Sequence, residues 1–159
     1  MRKMGLDYGS KTVGIAMTDA LGVTVMPFET ITRKEENKLR RTLARIAELV
    51  GQYEVDEIVL GRPVLMDGSD GERVEQTMIF KELLEKRVEV PIVYMDERLT
   101  TVEADEALIE MDVPKSERKK YIDQIAAVLV LRSYLNQKEY DKERENLRSQ
   151  TQEGDHGED

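Results

Sequence analysis

Three acidic positions stand where a carboxylate is costly to leave alone. Asp7 ends the short apolar run Met4-Gly5-Leu6, just before the turn residues Gly9-Ser10. Asp96 and Glu97 end a second apolar run, Pro91–Met95, in the same manner. Asp123 lies in YIDQIAAVLVL, immediately ahead of an apolar stretch. Taken singly, each has an ordinary explanation: turn geometry, a solvated strand end, and a helix-start acid that complements the dipole. Taken together, they are hard oxygen donors. Cysteine is absent and the single histidine, His156, sits in the terminal QEGDHGED. Disulfides, thiolate sites and cysteine nucleophiles are thereby excluded, and a Ser-His-Asp triad or histidine-rich zinc site has no material. Carboxylates without such partners suit Mg²⁺ or Mn²⁺. Two such ions can activate water and stabilise both oxygens of an in-line phosphoryl displacement, so phosphodiester hydrolysis is the natural reaction class.

The elements that must bring these acids together are short and frequent. Lys3–Tyr8, Thr12–Thr18 and Val23–Ile31 are apolar or β-branched runs divided by turn residues, which predicts two successive hairpins. Pro27 inside the third run suggests that this run lies at an edge or is broken there. Leu39, Leu43, Ile46 and Val50 have helical spacing, and Gly51 is expected to close that helix. Asp56–Gly61 reads as a buried strand, Arg62–Gly71 as a loop, Glu72–Arg87 as a helix and Pro91–Met95 as a strand. Thr100 and Thr101 with Glu103 suggest the start of a short helix, and a last helix is expected from about Arg118 to Gln137. Its IAAVLVL stretch is apolar nearly all round and calls for burial on most sides.

That order predicts an α/β fold: a mixed five-stranded sheet, three antiparallel strands and then two parallel, with helices on its faces. The C-terminal ends of strands one, four and five would share one rim, carrying Asp7 and Asp96/Glu97. A last helix packed over that rim would let Asp123 close a three-carboxylate cluster. From the residues alone, Asp96 and Glu97 remain alternatives.

The 159 residues fit one domain, expected over 1–137, followed by a charged tail over 138–159 that is expected to be disordered. No signal-peptide or membrane-spanning run is visible, so a cytoplasmic protein is the expectation. The net charge of −9 argues mildly against nucleic acid. Two basic clusters weaken that objection: Arg33/Lys34/Lys38/Arg40/Arg41 and Lys115/Arg118/Lys119/Lys120. Lys115, Lys119 and Lys120 lie just before Asp123 and are the favoured phosphate contacts.

The segments LDYGSKTVGIAMTD, GRPVLMDGSDG, DERLTT and IDQIAAVLVLRSYL, in this order and spacing, resemble the YqgF family from about Met4 to Leu135. Its members are described as Holliday junction resolvases and as nucleases for pre-16S ribosomal RNA. The resemblance implies a ribonuclease-H-like fold and places the family's acidic triad on Asp7, Glu97 and Asp123, with Asp96 structural. It implies that Lys11, Arg98, Thr100 and Thr101 lie near phosphate. It also implies nucleic acid as partner, with pre-ribosomal RNA favoured over branched DNA, and association with the ribosome. Gly61-Arg62-Pro63 departs from the family's Gly-Leu-Pro, and Arg62 there is either a further phosphate contact or a tolerated loop residue. Two other readings fit parts of the sequence. Asp7 to Asp19 resembles the first phosphate loop of actin-like ATPases, which need two such domains. A non-catalytic RNA or ribosome-associated module fits the acidic balance and the scarcity of aromatics.

Overall fold

The structure is a computed structural model that describes residues 1–63, 71–97, 106, 109–110 and 112–155, with side chains for all of these except 119, 120 and 152–155. Strands β1 (Arg2–Tyr8), β2 (Thr12–Thr18) and β3 (Val25–Thr32) form the expected antiparallel meander. Helix α1 (Arg40–Gln52) leads into β4 (Val55–Pro63), and α2 (Glu72–Glu85) leads into β5 (Ile92–Glu97). β4 pairs with β1 and β5 pairs with β4, both in parallel, giving the strand order β3-β2-β1-β4-β5. Pro27 does lie on an edge strand, opposite Ala16 and beside a register shift in the β2–β3 pairing. A short 3-10 turn, Lys115–Glu117, precedes the long helix α3 (Arg118–Asp155).

Alternation along the strands divides the core into two layers. Met4, Leu6, Tyr8, Val13 and Ile15 face α1 and α2, where they meet Leu43, Ile46, Leu49, Phe80 and Leu84. Gly5 and Ala16 face the other way with Val59, toward Ala127, Val128, Val130 and Leu131 of α3. On the far side of α3, Ile125 is buried and packs with Val113, ahead of the helix, and with the partly buried Tyr121, Ile122 and Leu129 of α3 itself. That accounts for a helix apolar on nearly every side.

Several boundaries differ from expectation. Gly51 lies inside α1, and the left-handed residue just beyond the helix is Glu54, with φ 53°. On α2, Phe80 and Leu84 are buried, whereas Ile79 is exposed. Arg62 and Pro63 continue β4 rather than opening a loop. The last helix does not stop near Gln137 but runs to Asp155. Residues 138–151 are exposed, so burial does not hold them helical. Once α3 is nucleated by its packed first half, each further residue adds a hydrogen bond at little cost, and 138–153 hold no Gly or Pro. Lys138 is still attached: its ammonium lies 3.8 Å from Glu57 Oε1 and over the Tyr134 ring. The helix expected after Thr100 lies largely outside the described residues.

Candidate active site

Asp7 sits near the end of the central strand, directly opposite Gly14 on β2. On the other flank Leu6 pairs with Leu60, so Gly61 of β4 comes next to Asp7. The acid is therefore bordered by a glycine on each side, and both vacated places are used. A Cβ on Gly14 would stand 1.9 Å from the backbone oxygen of Asp123, so α3 touches β2 backbone to backbone at this point. A Cβ on Gly61 would meet Glu97 Oε2 at 2.7 Å and Val130 at 3.0 Å. Glu97, on β5, can reach across β4 toward β1 only because residue 61 has no side chain.

That reach ends in a hydrogen bond between the carboxyl groups of Asp7 and Glu97. Two carboxylates this close, partly withdrawn from water, do not both ionise readily. Burial, then the neighbouring Asp7 charge, pushes the Glu97 carboxyl up to about 9. Burial raises Asp7 too, and the Asp123 carboxylate adds repulsion, while the Glu97 hydrogen bond and the Arg73 guanidinium oppose the rise. Asp96 is exposed, and alternation turns it to the opposite face from Glu97.

Asp123 is drawn to the rim by the contact at Gly14, and Gln124 beside it donates to Thr30 Oγ1 at 3.1 Å, tying α3 to β3. Among the described residues, however, no three Asp, Glu or His side chains stand close enough together to hold one ion. The expected three-carboxylate cluster is instead a pair, with Asp123 felt through its charge. The pair itself fits a hard divalent cation: it supplies oxygen donors whose shared proton is what a dication would displace.

Two arginines frame the turn after Asp7. Arg73, from the first turn of α2, donates to the Tyr8 carbonyl at 2.6 Å and pairs with Glu36 at 3.3 Å. Arg33 donates to the Gly9 carbonyl at 2.6 Å and lies 4.8 Å from the centre of the Tyr8 ring. Arg73 carried no signal in the sequence, because it lies on an unremarkable helix start more than sixty residues from the turn it holds. Of the expected phosphate contacts, Lys11 is exposed in the β1–β2 turn on the same rim, and Lys115 is exposed in the 3-10 turn before α3. Lys119 and Lys120 belong to the first turn of α3, but their side chains lie outside the described set. Arg98, Thr100 and Thr101 lie outside the described residues. Arg62 pairs in register with Asp96 on β5, within a strand.

Comparison with known proteins adds sequence and fold relatives. Residues 1–137 match the profile of a family described as "RuvX: Holliday junction resolvase". A protein of Lachnospira eligens is 54% identical over 139 residues, covering 87% of this chain and 99% of the relative. One from Agathobacter rectalis is 47% identical over 136 residues, covering 86% and 95%. Both carry the name "Putative pre-16S rRNA nuclease". Among solved structures, Thermus thermophilus RuvC superposes with a TM-score of 0.56 at 12% identity, covering 86% of this chain and 97% of that one. The same protein in complex with a Holliday junction gives 0.51 at 13% identity, covering 82% and 91%. At such identities these two likenesses bear on the fold, which is of the RuvC-like ribonuclease-H type.

Proposed function

The chain belongs to the RuvX family, also called YqgF, and from that premise we propose that it is a metal-dependent endonuclease that trims the 5′ end of pre-16S ribosomal RNA. The observation that carries the reading is the Asp7–Glu97 pair, held between Gly14 and Gly61 at the C-terminal rim of the parallel strands. Ligand chemistry in open α/β sheets gathers at that rim. Asp7 and Glu97 are the residues to hold Mg²⁺ or Mn²⁺, with Asp123 completing the charge around them. Such ions, when bound, activate water and neutralise charge on the phosphoryl oxygens.

What the chain itself contributes is position and field. Gly14 and Gly61 let α3 and Glu97 approach Asp7, and Arg73 and Arg33 hold the Tyr8–Gly9 backbone that follows it. Arg73 also opposes the rise in both carboxyl pKa values, favouring the ionised form that a cation requires. Lys11, Arg98, Thr100, Thr101, Lys115, Lys119 and Lys120 are proposed contacts to substrate phosphates. Among the described residues no helix is long and apolar enough to cross a membrane. A cytoplasmic place of action and association with ribosomal particles belong to the same proposal.

Side-by-side cleavage of a pre-16S leader fragment and a four-way DNA junction, each with Mg²⁺ and with Mn²⁺, tests the reading. The leader fragment is expected to be cut and Asp7→Asn to be inactive, since the amide keeps the shape and loses the charge. Preference for the junction would move the substrate to branched DNA. Equal activity in Asp7→Asn would remove the acid pair from the mechanism, and no cleavage of either substrate by the wild-type chain would favour a non-catalytic binding module.

A further inference from the structure

Between the end of β3 and the start of α1 lies a cleft of about 860 Å³, on the same side of the rim as the Tyr8–Gly9 turn. Its lining presents five cations, Arg33, Lys34, Lys38, Arg40 and Arg41, against a single carboxylate, Glu35. Lys38 pairs with Glu35 at 3.4 Å, an exposed contact of little consequence, while Lys34, Arg40 and Arg41 are exposed with no ion pair among the described residues.

The first turn of α1 departs from ordinary helix chemistry. Its N-cap is Leu39, which offers no side-chain oxygen, and no acid stands in the turn; Arg40 and Arg41 occupy it. Cations at the positive end of a helix work against the dipole. α2 follows the usual rule, with Glu72 and Glu75 in its first turn, whereas α3, like α1, opens on cations, Arg118, Lys119 and Lys120, with no acid. An anion seated in the cleft would satisfy both the free N–H groups and the arginines.

Arg33 joins this cleft to the acid pair. Its Nη2 is committed to the Gly9 carbonyl and its Nε to the Glu36 carbonyl, and its plane lies against Tyr8. The remaining Nη1 is buried without a partner among the described residues. The guanidinium is thus held in one orientation with donor capacity to spare. Glu36 in turn pairs with Arg73, whose charge acts on Asp7 and Glu97.

We propose that the cleft is a second nucleic-acid contact, a site for the phosphodiester backbone of the strand that flanks the cleaved bond. It rests on the reading that the Asp7–Glu97 pair cuts nucleic acid, and it adds the path: from that pair, past Arg73 and Arg33, into the cationic start of α1. A polyanion suits the site better than a single phosphate, because the five cations are spread along residues 33–41 rather than converging on one point.

The test measures binding of a 20-nucleotide single-stranded RNA by fluorescence anisotropy, using full-length Asp7→Asn protein so that the probe survives. Two double changes are added separately, Arg40→Gln/Arg41→Gln and Lys34→Gln/Lys38→Gln, all at exposed positions, with Tm recorded for each. Each double change is expected to weaken binding by about tenfold at 0.05 M salt and to reduce the salt slope by roughly 1.4, two contacts at about 0.7 each for a single strand. Arg40→Lys/Arg41→Lys, which keeps the charge, should recover most of the affinity. Unchanged affinity and slope in both glutamine variants, at unchanged Tm, would overturn the proposal. So would full displacement of the RNA by inorganic phosphate at matched ionic strength, which would make this a small-anion site. Cleavage separates the two readings. If wild type cuts, Asp7→Asn does not, and the glutamine variants bind normally, the nuclease stands and the cleft falls. If wild type cuts nothing while the glutamine variants lose affinity, the cleft stands and the nuclease falls.

Discussion

Asp7 and Glu97 press two carboxyl groups together away from water, and the folded chain accommodates them by keeping a proton between them. A carboxyl whose pKa is raised on folding contributes stability that is fully present below its unfolded value and is lost as pH rises through its folded value. For Glu97 that window runs from about 4.5 to about 9. The Tm measured in EDTA should therefore fall as pH rises across this range, beyond what other groups cause. Mg²⁺ should raise Tm much more at pH 8 than at pH 5, where it competes with the shared proton. Glu97→Gln should raise the Tm in EDTA at pH 8 and abolish the Mg²⁺ increment. A Glu97→Gln protein that still gains Tm from Mg²⁺ would exclude Glu97 as a ligand. Asp96→Asn should behave as wild type in the same assay and in cleavage, because its side chain is exposed on the opposite face. Inactive Asp96→Asn beside active Glu97→Gln would reverse the two roles.

At the scale of elements, the glycines do what no acidic motif announces. The hairpins, the succession of strands and helices and the shared rim were readable, because period-two alternation and turn residues report directly on local structure. Asp7 and the Asp96–Glu97 doublet were readable as strand-end acids for the same reason, while the choice of Glu97 came from the family resemblance. What could not be read was why they meet, and why Asp123 comes near, since that depends on Gly61 admitting Glu97 and Gly14 admitting the backbone of α3, a matter of register. Arg73 was hidden likewise, being joined to Tyr8 only by the fold. The run of α3 past Gln137 was missed because charge density reports on burial, whereas helix propagation needs none. Gly14→Ala tests the close approach. Its Cβ would overlap the Asp123 carbonyl, so α3 must lift, at a cost of about 1–3 kcal/mol or more. Thermal unfolding should show that loss, and cleavage should fall further than stability alone explains, because Asp123 moves with the helix. Gly51→Ala is the matched control: nothing lies within 4 Å and the residue is helical, so it should stabilise by about 0.5–1 kcal/mol and leave cleavage intact. Gly14→Ala with wild-type Tm and turnover would mean that the backbone contact does not position the site.

The whole molecule carries −9, yet its proposed ligand is a polyanion, and the distribution of charge resolves the conflict. Residues 142–159 hold 3 Lys/Arg and 6 Asp/Glu, a net −3, on the exposed end of α3 and the residues beyond it. Lys138 of α3, whose ammonium reaches Glu57 of the sheet, is kept if the chain is cut after Asp141. Ending the chain there should change Tm little, since the removed residues for which burial is described are exposed. Removing the net −3 should reduce long-range repulsion toward RNA and raise the association rate, most at low ionic strength. Screening sets the limit: the Debye length is about 30 Å at 0.01 M salt and about 8 Å at 0.15 M, so the advantage should nearly vanish at the higher value. Stopped-flow association of a labelled RNA across that range reads the effect directly. A salt-independent change would mean that the segment touches the substrate or the cleft rather than acting through its field, and a slower association would make the helical extension part of the binding surface.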